Sequence, residues 1–320
     1  MEKWSRTIFF VVELILGIFT MTMAVRISAD EGPQKKVAVI VEDSGNSKWN
    51  SYIKGLKDAA KANNLHLVIC NTDNGLDLEE EKELMEEQRN KGVNGFILQP
   101  AVGKETESVL SGFHEPILLN ASTTGRNFYG RYALVAPDNY RMGAALGQCI
   151  VKDYNGNLRD KSIGVVRGRK EDPAVEQRWK GLSDVVEKAG GKICWILDQR
   201  QDTAIAEEIR SRSTVSALAV LETDTLEDVA DAAAAHDVHG AIVYGIGHSI
   251  KSVYALEREI IAGLVTADLY DMGYYSVQEM AQKLSFPGRE LKDRSIDVLV
   301  PDKGELFTEK YQKFLSAMER

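Results

Sequence analysis

The stretch Glu42-Asp43-Ser44-Gly45-Asn46-Ser47-Lys48-Trp49 gathers carboxylate, hydroxyl, amide, ammonium and indole into eight positions. It follows the apolar run Val37 to Val41 and precedes Tyr52-Ile53-Lys54-Gly55-Leu56. A plain connection needs only turn residues, so a tryptophan among small polar groups marks a loop equipped to hold something. Other polar clusters also follow apolar runs: Gln99-Pro100-Ala101, Asn120-Ala121-Ser122, Arg167 to Arg178, Glu222-Thr223-Asp224 and Gly245 to Ser249. Carboxylate, amide and guanidinium in fixed positions can serve several hydroxyls at once, and an aromatic plate can cover the apolar C–H face of a sugar ring. The set suits a neutral polyhydroxy ligand. Trp49 serves either as that plate or as a staple packed inside its own lobe.

Signatures of catalysis are missing. The sequence has no G-x-S-x-G, no Walker loop and no H-E-x-x-H, which reads as a binder rather than an enzyme. Gly245-x-Gly247 lacks the third glycine of a dinucleotide fingerprint, and His236 and His239 have no companion carboxylate or cysteine motif. No cofactor and no metal are expected. Glu79, Glu80, Glu81, Glu83, Glu86 and Glu87 read as a solvated helix face. A net charge of −9 with no basic cluster argues against a nucleic-acid partner. Cys70, Cys149 and Cys194 are too few for a disulfide framework and too dispersed for a metal site, and read as buried thiols.

The elements that must position these loops come as a repeat. "KKVAVIVEDSGNSKWNSYIKGLKDAAKANN" from Lys35 matches "DKSIGVVRGRKEDPAVEQRWKGLSDVVEKAG" from Asp160. Each gives an apolar strand, a polar loop and an amphipathic helix around Lys-Gly-Leu, then a second strand, Leu65 to Cys70 or Lys192 to Leu197. Charged helical segments, Leu78 to Asn90 and Thr203 to Ser211, lead to strands at Gly95 to Leu98 and Ala217 to Leu221. Fourth strands follow at Ile117 to Leu119 and Ala241 to Tyr244. Strands alternating with helices imply parallel βαβ units, and continuous apolar strands imply sheets covered on both faces. The 320 residues therefore form two similar α/β, doubly wound lobes. Ligands of such sheets bind beyond the carboxyl ends of the strands, where the polar clusters lie.

Before the repeat, Lys3 and Arg6 precede an apolar run from Ile8 to Val25 that contains Glu13, Gly17, Thr20 and Thr22. Residues 1–30 read as an export signal or a membrane anchor over 7–25, which places the rest outside the cytoplasm. Cleavage after Ala24 or Ala29 and retention as an anchor both stay open. No cysteine near residue 25 offers a site for lipid attachment.

The strand order, the repeat and several motifs resemble the type I periplasmic sugar-binding proteins, the class of ribose and glucose/galactose receptors of ABC transporters. The resemblance covers roughly residues 36 to 320. It is carried by "VAPDNYRMG" (135–143), "DPAVEQRWKG" (172–181), "YGIGHS" (244–249) and "TADLYDMGYYSV" (266–277). It implies a monomeric receptor that closes on a sugar and serves an ABC permease, or a sensor that engages a membrane histidine kinase. It also implies three hinge crossings, near 137–139, 265–268 and 296–300. Residues 36–137 with 268–296 then form one lobe, and 138–267 with 297–320 the other.

Carried over by position, the resemblance makes Trp49 the stacking ring with Asn46 or Ser44 beside it. Asp138 lies at the first crossing, Arg178 opposite it and Asp268 at the crossing near 265–268. Asp224 is kept, preceded by Thr223 where the family has Asn, and Gly245-Ile246-Gly247 leaves His248 or Ser249 to replace an absent Asp. Gln99 and Asn120 complete the expected site from the strand ends. Simpler roles stay open for some: Asp138 as a helix cap, Arg178 as a surface partner of Glu176 or Asp184, and His248 as a loop histidine. The repressors that share this core need a DNA-binding helix-turn-helix, and residues 1–34 are a membrane segment instead. A small α/β enzyme acting on a sugar is the remaining alternative.

Overall fold

The computed structural model describes residues 34–73, 75–101, 105–121, 132–168, 172–198 and 204–306, with scattered positions before and after those limits. Most of the expected signal or anchor lies outside the described residues. Among the described residues, no helix is long and apolar enough to cross a membrane.

Two six-stranded sheets organise the chain. The first holds β1 (Lys36–Ile40), β2 (His66–Ile69), β3 (Gly95–Leu98), β4 (Ile117–Leu119), β5 (Ala133–Pro137) and β11 (Arg294–Ile296), in the order β11-β5-β4-β3-β1-β2. The second holds β6 (Ser162–Arg167), β7 (Lys192–Asp198), β8 (Ala217–Val220), β9 (Ile242–Ile246), β10 (Gly263–Ala267) and β12 (Val298–Leu299), in the order β12-β10-β9-β8-β6-β7. The pairings are parallel except β10 with β12. The repeat is visible in register: Val37 lies opposite Leu67 and Gly95, while Ile163 lies opposite Ile193 and Ala217. Residues Val37 to Ile40 are all buried. They are apolar throughout because helices cover both faces of the sheet.

Three segments cross between the sheets. β5 runs through Asp138 into helix α4 (Asn139–Asp153), which packs on α5 (Pro173–Lys188). β10 runs through Asp268 into α9 (Leu269–Ser285), which packs back on α1 (Asn50–Ala62). Asp297 alone separates β11 from β12, and its carbonyl accepts the Asp268 N–H at 3.2 Å.

Glycines set how closely these helix pairs approach. A Cβ on Gly55 would lie 2.1 Å from the Tyr270 carbonyl oxygen, and one on Gly273 would lie 2.3 Å from that of Tyr52. In the second lobe Gly143 would meet the Arg178 oxygen at 1.8 Å, and Gly181 the Tyr140 oxygen at 2.0 Å. Backbone meets backbone there, so only glycine fits. This contact is the physical content of the repeated Lys-Gly-Leu. It also exposes a second repeat, Asp138-x-Tyr140-x-Met142-Gly143 against Asp268-x-Tyr270-x-Met272-Gly273.

Two expectations change. Helix α2 (Leu78–Asn90) is not acidic on a solvated face alone, because Glu81 is wholly buried and its Oε2 accepts the Ala101 N–H at 2.6 Å. The carboxylate is drawn inward to satisfy the loop after β3. Nor are all three thiols buried: Cys70 is, Cys149 is partly so, and Cys194 is exposed. β7 is an edge strand, and its alternation turns Cys194 outward.

Candidate ligand site between the lobes

The polar strand ends face each other across a cleft of about 710 Å³, part of it open to solvent.

Trp49 closes one wall. It ends a single 3-10 turn, Ser47–Trp49, whose N-cap Asn46 accepts the Lys48 N–H at 3.0 Å. The indole N–H donates to the Glu42 carbonyl at 2.9 Å, and the ring meets Tyr52 edge-on at 5.7 Å. Only 8% of Trp49 is exposed. Trp49 is therefore packed inside its own lobe, with its N–H and edge fixed there, while the ring also lines the cleft.

Arg178 sits on α5 opposite. Its Nε donates to Asn139 Oδ1 at 2.8 Å and one terminal nitrogen donates to the Leu221 carbonyl at 2.9 Å. Its other terminal nitrogen makes no such bond among the described residues. The Gly143 contact beneath it fixes the backbone from which the guanidinium projects. Burial lowers its proton affinity and the charges of Asp172 and Glu222 raise it; the group stays cationic.

Glu222 and Asp172 supply the acid side. Asp172 caps α5 by accepting the Ala174 N–H at 2.7 Å. Burial pushes the Glu222 carboxyl upward, and repulsion from Asp172 adds to it. His248 presents a neutral ring. Burial, with Arg178 and Lys48 nearby, pushes its imidazole down to about 3. Its Nδ1 faces the Thr266 hydroxyl at 3.1 Å and the Ala267 N–H at 3.4 Å, so the ring is held within the second lobe by that nitrogen, and the tautomer decides which nitrogen carries the proton.

The amides divide into two roles. Asn120 is buried and committed within the first lobe: Nδ2 donates to the Val135 carbonyl and Ser276 Oγ, each at 2.8 Å, and Oδ1 accepts from the Tyr52 hydroxyl at 2.5 Å. Gln99 has the opposite character, since its Oε1 is buried with no hydrogen-bond partner among the described residues. An unmet buried acceptor is costly unless a ligand supplies the donor.

Of the residues expected from sequence, Trp49, Gln99, Asn120, Arg178 and His248 line the cleft. Ser44 does not; its hydroxyl accepts the Thr72 N–H at 3.0 Å. Asn46 caps the turn before Trp49, and Asp138 and Asp268 cap α4 and α9 by accepting the N–H groups of Arg141 and Asp271. Asp224 reaches across to Lys48 at 2.5 Å. The sequence reading passed over Lys48, Asn139, Asp172, Glu222, Leu269 and Met272, which also line the cleft. The second repeat is the signal that finds some of them. Asn139 and Leu269 each follow a capping Asp, one polar and one apolar, at equivalent positions of the two lobes.

A profile of the periplasmic binding protein domain matches residues 37–290. The chain belongs to the periplasmic binding protein family. Solved structures of this fold are similar at low sequence identity. GanP, a glucose-galactose binding protein from Geobacillus stearothermophilus, is 20% identical with a TM-score of 0.73, over 86% of this chain and 99% of that one. A carbohydrate transporter solute binding protein from Agrobacterium radiobacter, in complex with D-arabinose, is 16% identical with a TM-score of 0.76, over 89% and 99%. The XylFII–LytSN complex gives 18% identity and a TM-score of 0.72, over 85% and 99%. No curated protein matches this sequence. The two sheets, the crossings at Asp138 and Asp268 and the intervening cleft are thus the architecture of a periplasmic binding protein.

Proposed function

We propose that this periplasmic binding protein is an extracytoplasmic receptor that closes its lobes on a monosaccharide and returns it unchanged to an ABC permease. The observation that carries the reading is the pairing of Trp49 with Arg178 across one cleft, a ring for the sugar's C–H face and a charged donor for its oxygens. The buried, unmet Gln99 Oε1 and the Nε2 of His248 extend the polar set. Residues 36–137 with 268–296 move as one body and 138–267 with 297–320 as the other, by hinge closure. The ligand-binding set is Trp49, Gln99, Arg178 and His248, with Asn120 stiffening the wall. GanP and the arabinose-bound protein support the choice of a sugar.

A second reading shares the site and changes the partner. XylFII was solved in complex with LytSN, so a protein of this fold engages another protein. With Lys3 and Arg6 before an apolar run that lacks a lipid-attachment cysteine, an anchored sugar sensor for a histidine kinase fits as well. The test of the shared claim is mass spectrometry of small molecules released from the purified chain. A single unmodified monosaccharide is expected; a non-carbohydrate ligand, or conversion of the sugar on incubation, overturns the receptor reading.

A further inference from the structure

Three carboxylates, Asp172, Glu222 and Asp224, share the cleft region with two cations, Lys48 and Arg178. Lys48 is engaged, and Arg178 is engaged in part. Lys48 holds Asp224 at 2.5 Å, and Arg178 gives two of its nitrogens to Asn139 and the Leu221 carbonyl. Asp172 spends one oxygen on capping α5. The Glu222 carboxyl makes no hydrogen bond to any described residue. Its placement is nonetheless specific, because a Cβ on Gly168 would lie 1.5 Å from Glu222 Oε2. Bare backbone at Gly168 makes room for the carboxyl. Burial is the largest influence on the Glu222 carboxyl and pushes it upward, and the repulsion of Asp172 comes next, ahead of the attraction of Lys48 and of Arg178.

A hydroxyl donor would satisfy one lone pair of Glu222 and leave the surplus negative charge in place once closure excludes water. An ammonium group removes it, through hydrogen bonds roughly twice as strong as neutral ones, and spares the cost of an unpaired buried charge. We propose that the ligand is an amino sugar, with its ammonium group held by Glu222 beside Asp172. Arg178, His248 and Gln99 then serve the remaining hydroxyls, and Leu269 and Met272 the apolar edge.

This inference rests on the sugar reading, and one experiment separates their failures. The full chain, in mild detergent, is titrated calorimetrically with glucosamine, galactosamine and mannosamine, each beside its neutral parent and its N-acetyl derivative, at a pH where the amines are protonated. One amino sugar is expected to bind at least about tenfold more tightly than its parent and its N-acetyl form. Glu222→Gln keeps the shape and removes the charge, and it should bring that ratio near unity. Asp172→Asn keeps the helix cap and should narrow the ratio less. A neutral parent that binds as tightly as its amino form overturns the inference and leaves the sugar reading standing. A preference that survives Glu222→Gln overturns it too, and no binding by any sugar of the panel overturns the inference while the sugar reading is decided by the mass spectrometry of the released ligand.

Discussion

Lys48 Nζ lies 2.5 Å from Asp224 Oδ2, joining the first lobe to the second across the mouth of the cleft. The same ammonium sits 5.7 Å from the centre of the Trp49 ring. Lys48 therefore links the stacking wall to the start of the helix Thr223–Ala234 in the opposing lobe. Asp224 is 47% exposed, so solvent screens the pair to about 0.2–1 kcal/mol. Lys48→Met or Asp224→Asn should weaken sugar binding by roughly twofold to fivefold, with more open ligand-free chains in small-angle scattering. The double variant should lose little beyond either single one. Additive losses would mean the two residues act independently.

Gly143 underlies Arg178. Gly143→Ala would force apart α4 and α5, because the Arg178 carbonyl oxygen lies 1.8 Å from the added Cβ. A loss of about 1–3 kcal/mol in stability is expected, together with a marked loss of affinity as the guanidinium shifts. Gly55→Ala should cost similar stability through the Tyr270 contact but less affinity, since that crossing carries no arginine. Denaturant melts and titration of both variants check this, and equal affinity losses would contradict it.

Trp49 packs inside the first lobe and carries the proposed stacking role, so its removal should show in two measurements. Trp49→Ala is expected to weaken binding by about 1–3 kcal/mol and also to lower the melting temperature, because the ring is nearly buried on Tyr52. Trp49→Phe should retain most of the stability while losing the bond to the Glu42 carbonyl. Unchanged affinity in both variants would make Trp49 a packing residue only.

Buried Glu81 should leave a signature in the pH dependence of folding. Burial pushes its carboxyl up from 4.5 to about 7. Between those values the folded state holds a proton that the unfolded state releases, so stability falls as pH rises through this window, by roughly 3 kcal/mol in all. Glu81→Gln keeps an acceptor for the Ala101 N–H and carries no charge. It should match the parent in urea melts at acid pH and exceed it at mildly alkaline pH. A constant difference at both would contradict the assignment.

The strands and their order were legible because Val37 to Val41, Ile163 to Val166 and their partners are uninterrupted apolar runs, and the Lys-Gly-Leu repeat marks the same helix in each lobe. The site was legible only in part. Ser44, Asn46, Asp138 and Asp268 carry the same signature as ligand-binding groups, a short polar side chain just after a strand. A helix start asks for the same residue types, and the geometry assigns all but Ser44 to caps. Lys48 and Glu222 stand in polar clusters that the sequence marks, but what singles them out from their neighbours as cleft residues is an opposing lobe far away in sequence. Glu81 shows the same limit inside one helix, since six glutamates share one pattern and a loop twenty residues on draws one of them in.

Calorimetric titration of the chain and of Arg178→Ala, using the monosaccharide recovered from the purified protein, tests the central claim most directly. The account predicts one-to-one binding by the parent chain, and for Arg178→Ala a loss of about 2–5 kcal/mol, the scale for removing one member of a buried charged hydrogen-bond set, with the fold intact by circular dichroism. Undiminished affinity in a folded Arg178→Ala variant would show that the sugar does not bind between these lobes.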